Sequence, residues 1–188
     1  NPGPRFRLSS QKVTIETMGQ VEQLAGIDAA FLYMETPTQH MHVCGTMILE
    51  PLDVTADAAA GDATASRRAA AERLTELLLQ RISSLPSFRR RIVETPLGLS
   101  HPAWAEVSRF RARNHLRQIT LESPGTSAQL AEVVGRIAAT PLDRRRPLWE
   151  LWMIHGLEGG RIGVVLKVHH AVVDGIAALG VIDRLFTT

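Results

Sequence analysis

Cysteine is nearly absent from the 188 residues: Cys44 stands alone. A single thiol excludes an internal disulfide and agrees with a reducing, cytoplasmic location. A dominant charge is missing as well, since 21 Lys+Arg against 19 Asp+Glu leave a formal net charge of +2, and no nucleic-acid partner is implied. Lysine is scarce, only Lys12 and Lys167, so the positive charge is arginine in local clusters: Arg67/Arg68, Arg89/Arg90/Arg91, Arg109/Arg111/Arg113/Arg117 and Arg144/Arg145/Arg146. Such clusters suit phosphate or anionic head groups, or form a solvated face with ion pairs. No apolar run reaches the roughly 18 residues that suggest a membrane span, because Lys167, His169, His170 and Asp174 interrupt the most hydrophobic stretch. The opening NPGPRFRLSS has neither an initiator Met nor the apolar centre of a signal peptide, and reads as a trimmed start. Internal repeats, a GxSxG elbow, a GxGxxG turn and a P-loop are all missing. A serine triad of the elbow type and nucleotide cradles are therefore not expected.

What is present is enough apolar material, 45% of residues, to fill the core of one domain. Residues 1–23 read as an N-terminal extension and residues 24–188 as the domain. In LAGIDAAFLYMET, Ile27, Ala30, Phe31 and Met34 recur at helical spacing; HMHVCGTMILEP alternates as a strand up to Pro51. Residues 53–72, rich in alanine and poor in bulky side chains, are expected to form a mobile loop. Leu74, Leu77, Leu78, Arg81, Ile82 and Leu85 then predict an amphipathic helix stopped by Pro86, and FRRRIVE a strand. Residues 104–121 read as irregular strand, and Leu130, Val133, Val134, Ile137 and Ala138 as a helix capped from SPGTS. LWELWMIHGLEGGRIGVVLKVHH predicts two strands joined by a turn over Gly156–Gly160, and Asp174 to Phe186 a closing helix.

Chemistry concentrates in LKVHHAVVDGIAAL, residues 166–179. Strand alternation puts Val164, Leu166, Val168 and His170 on one face and Gly163, Val165, Lys167 and His169 on the other. His170, expected as the last strand residue, is the candidate general base, because a neutral imidazole accepts a proton near pH 7. His169 is either a hydrogen-bonded packing residue or a second candidate. Asp174 serves as helix cap and turn-builder or takes part in orienting the base, and Gly175 admits a substrate close to the backbone. A metal reading through His40, His42, His169, His170 and Asp174 has no diagnostic spacing, and no metal site is expected.

HHAVVDG fits His-His-x-x-x-Asp-Gly, and with PLDRRRPLWELWMIHGLEGGRIGVVLKV before it, GIDAAFLYMET, MHV, FRARNHL and SPGTSAQL, it resembles the bacterial wax ester synthase/diacylglycerol acyltransferase family over roughly residues 24 to 186. The resemblance implies a chloramphenicol-acetyltransferase-like α/β (α+β) fold, a mixed sheet flanked by helices, of which this chain is the N-terminal half. It implies transfer of a fatty acyl group from long-chain acyl-CoA, a substrate and not a cofactor, to diacylglycerol or a long-chain alcohol. No cofactor is called for. By the same resemblance His170 is the base, His169, Asp174 and Gly175 support it, and Pro147, Leu148 and Trp149 form a tunnel or structural motif. The role of His115 stays open, and Ile176-Ala177 stand where relatives often carry a small hydroxyl residue. A carrier-protein-dependent or polyketide-associated acyltransferase, a condensation domain, and a catalytically silent lipid-binding half are the alternatives. Lipid substrates are compatible with peripheral attachment to the inner membrane or lipid droplets, although no anchor is visible.

The resemblance leaves one wall of the substrate tunnel to a C-terminal half. The 188-residue chain assayed alone with long-chain acyl-CoA and diacylglycerol is expected to show no turnover; full activity would refute that division.

Overall fold

The computed structural model describes residues 21–51, 60–95 and 100–173, together with Gly180, Arg184 and Leu185. The expected closing helix therefore lies almost entirely outside the described residues. In chain order the elements are β1 (Val21–Gln23), α1 (Gly26–Met34), β2 (His42–Leu49), α2 (Ala60–Ser83), β3 (Arg90–Val93), β4 (Ala103–Glu106), β5 (Leu116–Thr120), α3 (Ser127–Ala139), β6 (Trp149–His155) and β7 (Ile162–His169). Short 3-10 turns occupy Pro86–Arg89 and Ala112–His115.

The larger sheet has the order β2-β7-β6-β5; β5 and β6 are parallel, and the other pairs are antiparallel. It is the expected mixed sheet. Its inner strands β6 and β7 are the two halves of the predicted hairpin. The connection turns through Gly156, Gly159 and Gly160, all at positive φ, where residues with a Cβ are disfavoured.

Strand alternation sorts the core into two layers. Val164, Leu166 and Val168 face Leu78, Leu79, Ile82 and Phe88 from α2 and the turn after it. Val165 faces Leu130, Val133 and Ile137 of α3 on the other side. Every residue of β7 from Gly163 to His169 is buried. A second sheet of three antiparallel strands, order β1-β4-β3, packs with α1 in a third cluster of Leu24, Ala29, Leu32, Ile92, Trp104, Leu148 and Ala171.

Five expectations are corrected. Val21–Gln23, assigned to the N-terminal extension 1–23, form β1 and pair with β4. The loop assigned to 53–72 extends no further than residue 59, because α2 begins at Ala60; alanine is the strongest helix former and needs no bulky neighbour. Within α2 and just after it the predicted Leu78, Ile82 and Leu85 are buried and Leu74 packs against them, but Leu77 is 42% exposed and Leu79 lies in the core in its place. Residues 104–121 split into β4 of the small sheet, a 3-10 turn and β5 of the large one. Finally, β7 stops at His169 and His170 begins the turn, in which Val172 N–H donates to His169 O at 2.9 Å.

Helix α3 is held at both ends. Thr126 and Gln129 form a reciprocal capping box at its start. At its end Thr140 Oγ1 donates to Arg136 O at 2.9 Å, His42 Nε2 to Ala138 O at 2.7 Å and His40 Nε2 to Ala139 O at 3.2 Å. Lys167 Nζ donates to Ile137 O at 2.7 Å and also to Thr140 O. The sheet thereby satisfies carbonyls that a helix end leaves orphaned. Among the clustered arginines, Arg68, Arg89, Arg90, Arg113, Arg117, Arg144, Arg145 and Arg146 have carboxylate partners, in keeping with the ion-paired reading.

Two glycines give opposite expected outcomes. Gly125 lies at φ 72°, where a Cβ would overlap the Gly156 carbonyl, so Gly125→Ala should cost roughly 2–4 kcal/mol. Gly135, inside α3, has open space around a Cβ, and Gly135→Ala should stabilise by about 0.5–1 kcal/mol. Urea denaturation of both variants checks the pair.

Candidate active site

The site grows out of the C-terminal end of β7. Beyond His169 the chain turns, and its apolar residues dock apart: Ala171 enters the α1 cluster and Val173 the α2 cluster. This split pins the turn on both sides. His170, between His169 and Ala171, is half-buried. Its backbone N–H donates to Met41 O at 2.8 Å, and its ring stacks on Phe31 of α1, centroids 5.0 Å apart and planes inclined by 22°. The imidazole nitrogens of His170 have no hydrogen-bond partner among the described residues.

His169 differs in every respect. It is 1% exposed. Ala171 N–H donates to its Nδ1 at 3.0 Å, so that nitrogen carries the lone pair and the neutral ring bears its proton on Nε2. Nε2 stands 3.2 Å from Glu35 Oε1, outside good hydrogen-bond alignment. Its backbone N–H donates to Leu148 O at 3.0 Å. Burial pushes the His169 pKa down to about 4, against the pull of the Glu35 carboxylate, with Arg144 and His170 adding to the depression. It is thus a neutral packing residue at neutral pH.

Glu35 is the residue that sequence reasoning passed over. Burial alone would raise its pKa, but the Arg144 guanidinium and Met41 N–H, with His169 nearby, hold it below the ordinary carboxylate range. Arg144 donates to Oε2 through Nη2 at 2.7 Å and Nε at 3.2 Å. The only signal in sequence is an acidic residue at the end of a helical block, which is too common to single out.

The motif Pro147-Leu148-Trp149 is buried at the start of β6. Trp149 Nε1 donates to Phe88 O at 2.8 Å, and its ring stacks on His115 at 4.5 Å. His115 Nδ1 donates in turn to Trp149 O at 3.0 Å. Burial lowers the His115 pKa, and its ring packs between Phe110 and Trp149 at this strand end. His42 pairs across the strands with His169, but its ring and that of His40 are engaged by carbonyls at the end of α3, and no three His, Cys, Asp or Glu among the described residues are grouped to hold a metal. Asp174 and Gly175 lie outside the described residues.

The family model of the wax ester synthase/diacylglycerol acyltransferase catalytic domain matches residues 24–188. The chain belongs to this family. A Mycobacterium tuberculosis protein that carries the name diacylglycerol O-acyltransferase is 42% identical over 166 residues, covering 88% of this chain and 31% of its own length. Another from the same organism is 37% identical over 164 residues, covering 87% and 33%. Among solved structures, the wax ester synthase/diacylglycerol acyltransferase from Marinobacter aquaeolei VT8 superposes with a TM-score of 0.68 at 29% identity, over 86% of this chain and 37% of that one. The first condensation domain of the calcium-dependent antibiotic synthetase gives a TM-score of 0.64 at 20% identity, over 89% and 38%, a likeness of fold alone. The chain thus spans about a third of the length of these relatives. The chloramphenicol-acetyltransferase-like fold class expected from the motif is the one these neighbours share.

In this wax ester synthase/diacylglycerol acyltransferase domain His169 should make stability depend on pH. His169 has a folded pKa of about 4 and an ordinary value of 6.5, so the unfolded chain binds its proton more readily. Its contribution is intact above about pH 6.5 and is lost as the pH falls toward about 4, some 2–3 kcal/mol by pH 4.5. His42, His115 and His155, also lowered by burial, act in the same direction. Urea denaturation at pH 7.5 and 4.5 should show a smaller acid loss for His169→Gln than for the wild type; equal losses would contradict this account.

Proposed function

We propose that the protein transfers a fatty acyl group from a long-chain acyl-CoA thioester to the hydroxyl of diacylglycerol or a long-chain alcohol, with His170 as general base. The observation that supports this most is the division between adjacent histidines: His169 has its Nδ1 lone pair committed to Ala171 N–H, whereas His170 is half-buried with its ring nitrogens uncommitted to any described residue. A base needs a lone pair free to meet substrate. His170 takes the acceptor's hydroxyl proton as the oxygen attacks the thioester carbonyl. The tetrahedral oxyanion then collapses, the C–S bond breaks, and the imidazolium returns the proton to the leaving CoA thiolate. Ester and CoA thiol are the products.

No covalent acyl-enzyme step is needed, because a positioned base suffices for direct attack. Asp174 holds the turn and Gly175 gives clearance in this reading, and the remainder of the protein closes the other wall of the site. Acyl-CoA is consumed as substrate, and no cofactor takes part. Both lipid substrates favour work at the surface of a membrane or lipid droplet; none of the described helices is long and apolar enough to cross a bilayer.

The test uses the complete protein with long-chain acyl-CoA and diacylglycerol. His170→Ala should lower kcat by about 10²–10⁴-fold, the range general-base catalysis spans, while acyl-CoA still binds. Retained turnover would defeat the assignment, and activity only with a carrier-protein thioester would favour the condensation-type alternative.

A further inference from the structure

We propose that Glu35, clamped by Arg144, is a positioning residue that sets the base-bearing turn from two sides. The inference rests on His170 being the base. One route runs through a side chain: Glu35 Oε1 lies 3.2 Å from His169 Nε2, and His169 Nδ1 accepts Ala171 N–H at 3.0 Å. The other runs through the backbone: the same Oε1 accepts Met41 N–H at 3.0 Å, and Met41 O accepts His170 N–H at 2.8 Å. The first route closes on the residues immediately before and after the side chain that must be aimed, and the second on the backbone of His170 itself.

The chemistry of the carboxylate suits this task. With its proton on Nε2, His169 presents a lone pair to Ala171; with the proton on Nδ1, it would set N–H against N–H. A carboxylate beside Nε2 favours the first tautomer. A carboxylate also accepts from several donors at once. Here Oε2 takes both Nε and Nη2 of Arg144, while Oε1 serves the turn. Arg144 is anchored in its turn, donating through Nη2 to Leu32 O at 2.7 Å. The clamp therefore ties α1, the loop before β6, the chain entering β2 and the turn after β7. Phe31, one helical turn before Glu35 on α1, carries the ring against which His170 stacks, so α1 supplies both the anchor for the backbone and the surface for the imidazole.

A neutral amide can replace much of this, since the oxygen of Gln still accepts Met41 N–H, but a methyl cannot. In the complete protein Glu35→Ala should lower kcat about 100-fold, the scale of a base misplaced by about 1 Å. KM should stay within about twofold and the acid limb of the pH–rate profile unmoved, since aim rather than proton affinity is lost. Glu35→Gln should recover kcat to within about tenfold of wild type, and Arg144→Ala should lie between the two. Two readouts need no turnover: imidazole ¹⁵N shifts, which report the His169 tautomer, and amide exchange at His170 and Ala171. The wild type should show the Nε2–H tautomer and slow exchange; Glu35→Ala should mix the tautomers and speed both amides. Should Glu35→Ala not fold, Arg144→Ala carries the same test. Unchanged kcat together with unchanged shifts and exchange, in a protein where His170→Ala is inactive, would overturn the positioning role and leave the base intact. An active His170→Ala would instead remove the base assignment, and the shifts and exchange would then decide the clamp on their own.

Discussion

The burial of β7 on both faces is the constraint from which this end of the molecule follows. A strand covered by α2 on one side and α3 on the other has no water for its polar groups, and a buried polar group without partners costs several kcal/mol. Yet the sequence places Lys167 and His169 there, at 0% and 1% exposure. Each is kept by fixed partners in a different layer. Lys167 reaches the carbonyls at the end of α3, and His169 reaches the turn and Glu35 beside α1. Both polar residues act as ties from one strand to its neighbours.

The same logic explains how the turn after β7 is shaped. His169 and Ala171 form one hydrogen-bonded unit, and Ala171 and Val173 are drawn into separate apolar clusters. Once those three are fixed, His170 is the residue left between them. It has a backbone anchor on Met41 and an aromatic surface on Phe31, which restrict the ring without consuming its nitrogens. A side chain held by stacking alone keeps its hydrogen-bonding capacity for a ligand.

What was legible in the sequence follows the range of the interactions concerned. Local signals served well: the alternation around residues 162–169 sorted Val164, Leu166 and Val168 from Val165, and the glycines of 156–160 marked the turn between β6 and β7. The capping residues before α3 were equally plain. Failures came where a local property was ambiguous or the partner was distant. Alanine reads as a sparse loop or a good helix, and α2 took the second option. Leu77 fits the helical period but lost its place to Leu79, because the sheet, not the helix, chooses the buried stripe. Glu35 could not be found locally: its partners Arg144 and His169 are more than a hundred residues away, and a lone glutamate carries no spacing to read.

The neutrality of His169 also bears on the work proposed for its neighbour. When His170 accepts a proton it becomes an imidazolium, and a second cationic imidazole beside it would oppose that step. Glu35 could have produced such a cation, since a carboxylate favours protonation of a nearby histidine. Burial outweighs it and keeps His169 well below neutral in pKa, while Arg144 takes up the carboxylate's charge on the far side. The arrangement therefore uses the carboxylate as an acceptor that fixes geometry without making its histidine partner cationic. A buried neutral histidine next to a half-buried one divides two identical side chains, adjacent in sequence, into one fixed by its neighbours and one whose ring nitrogens have no partner among the described residues.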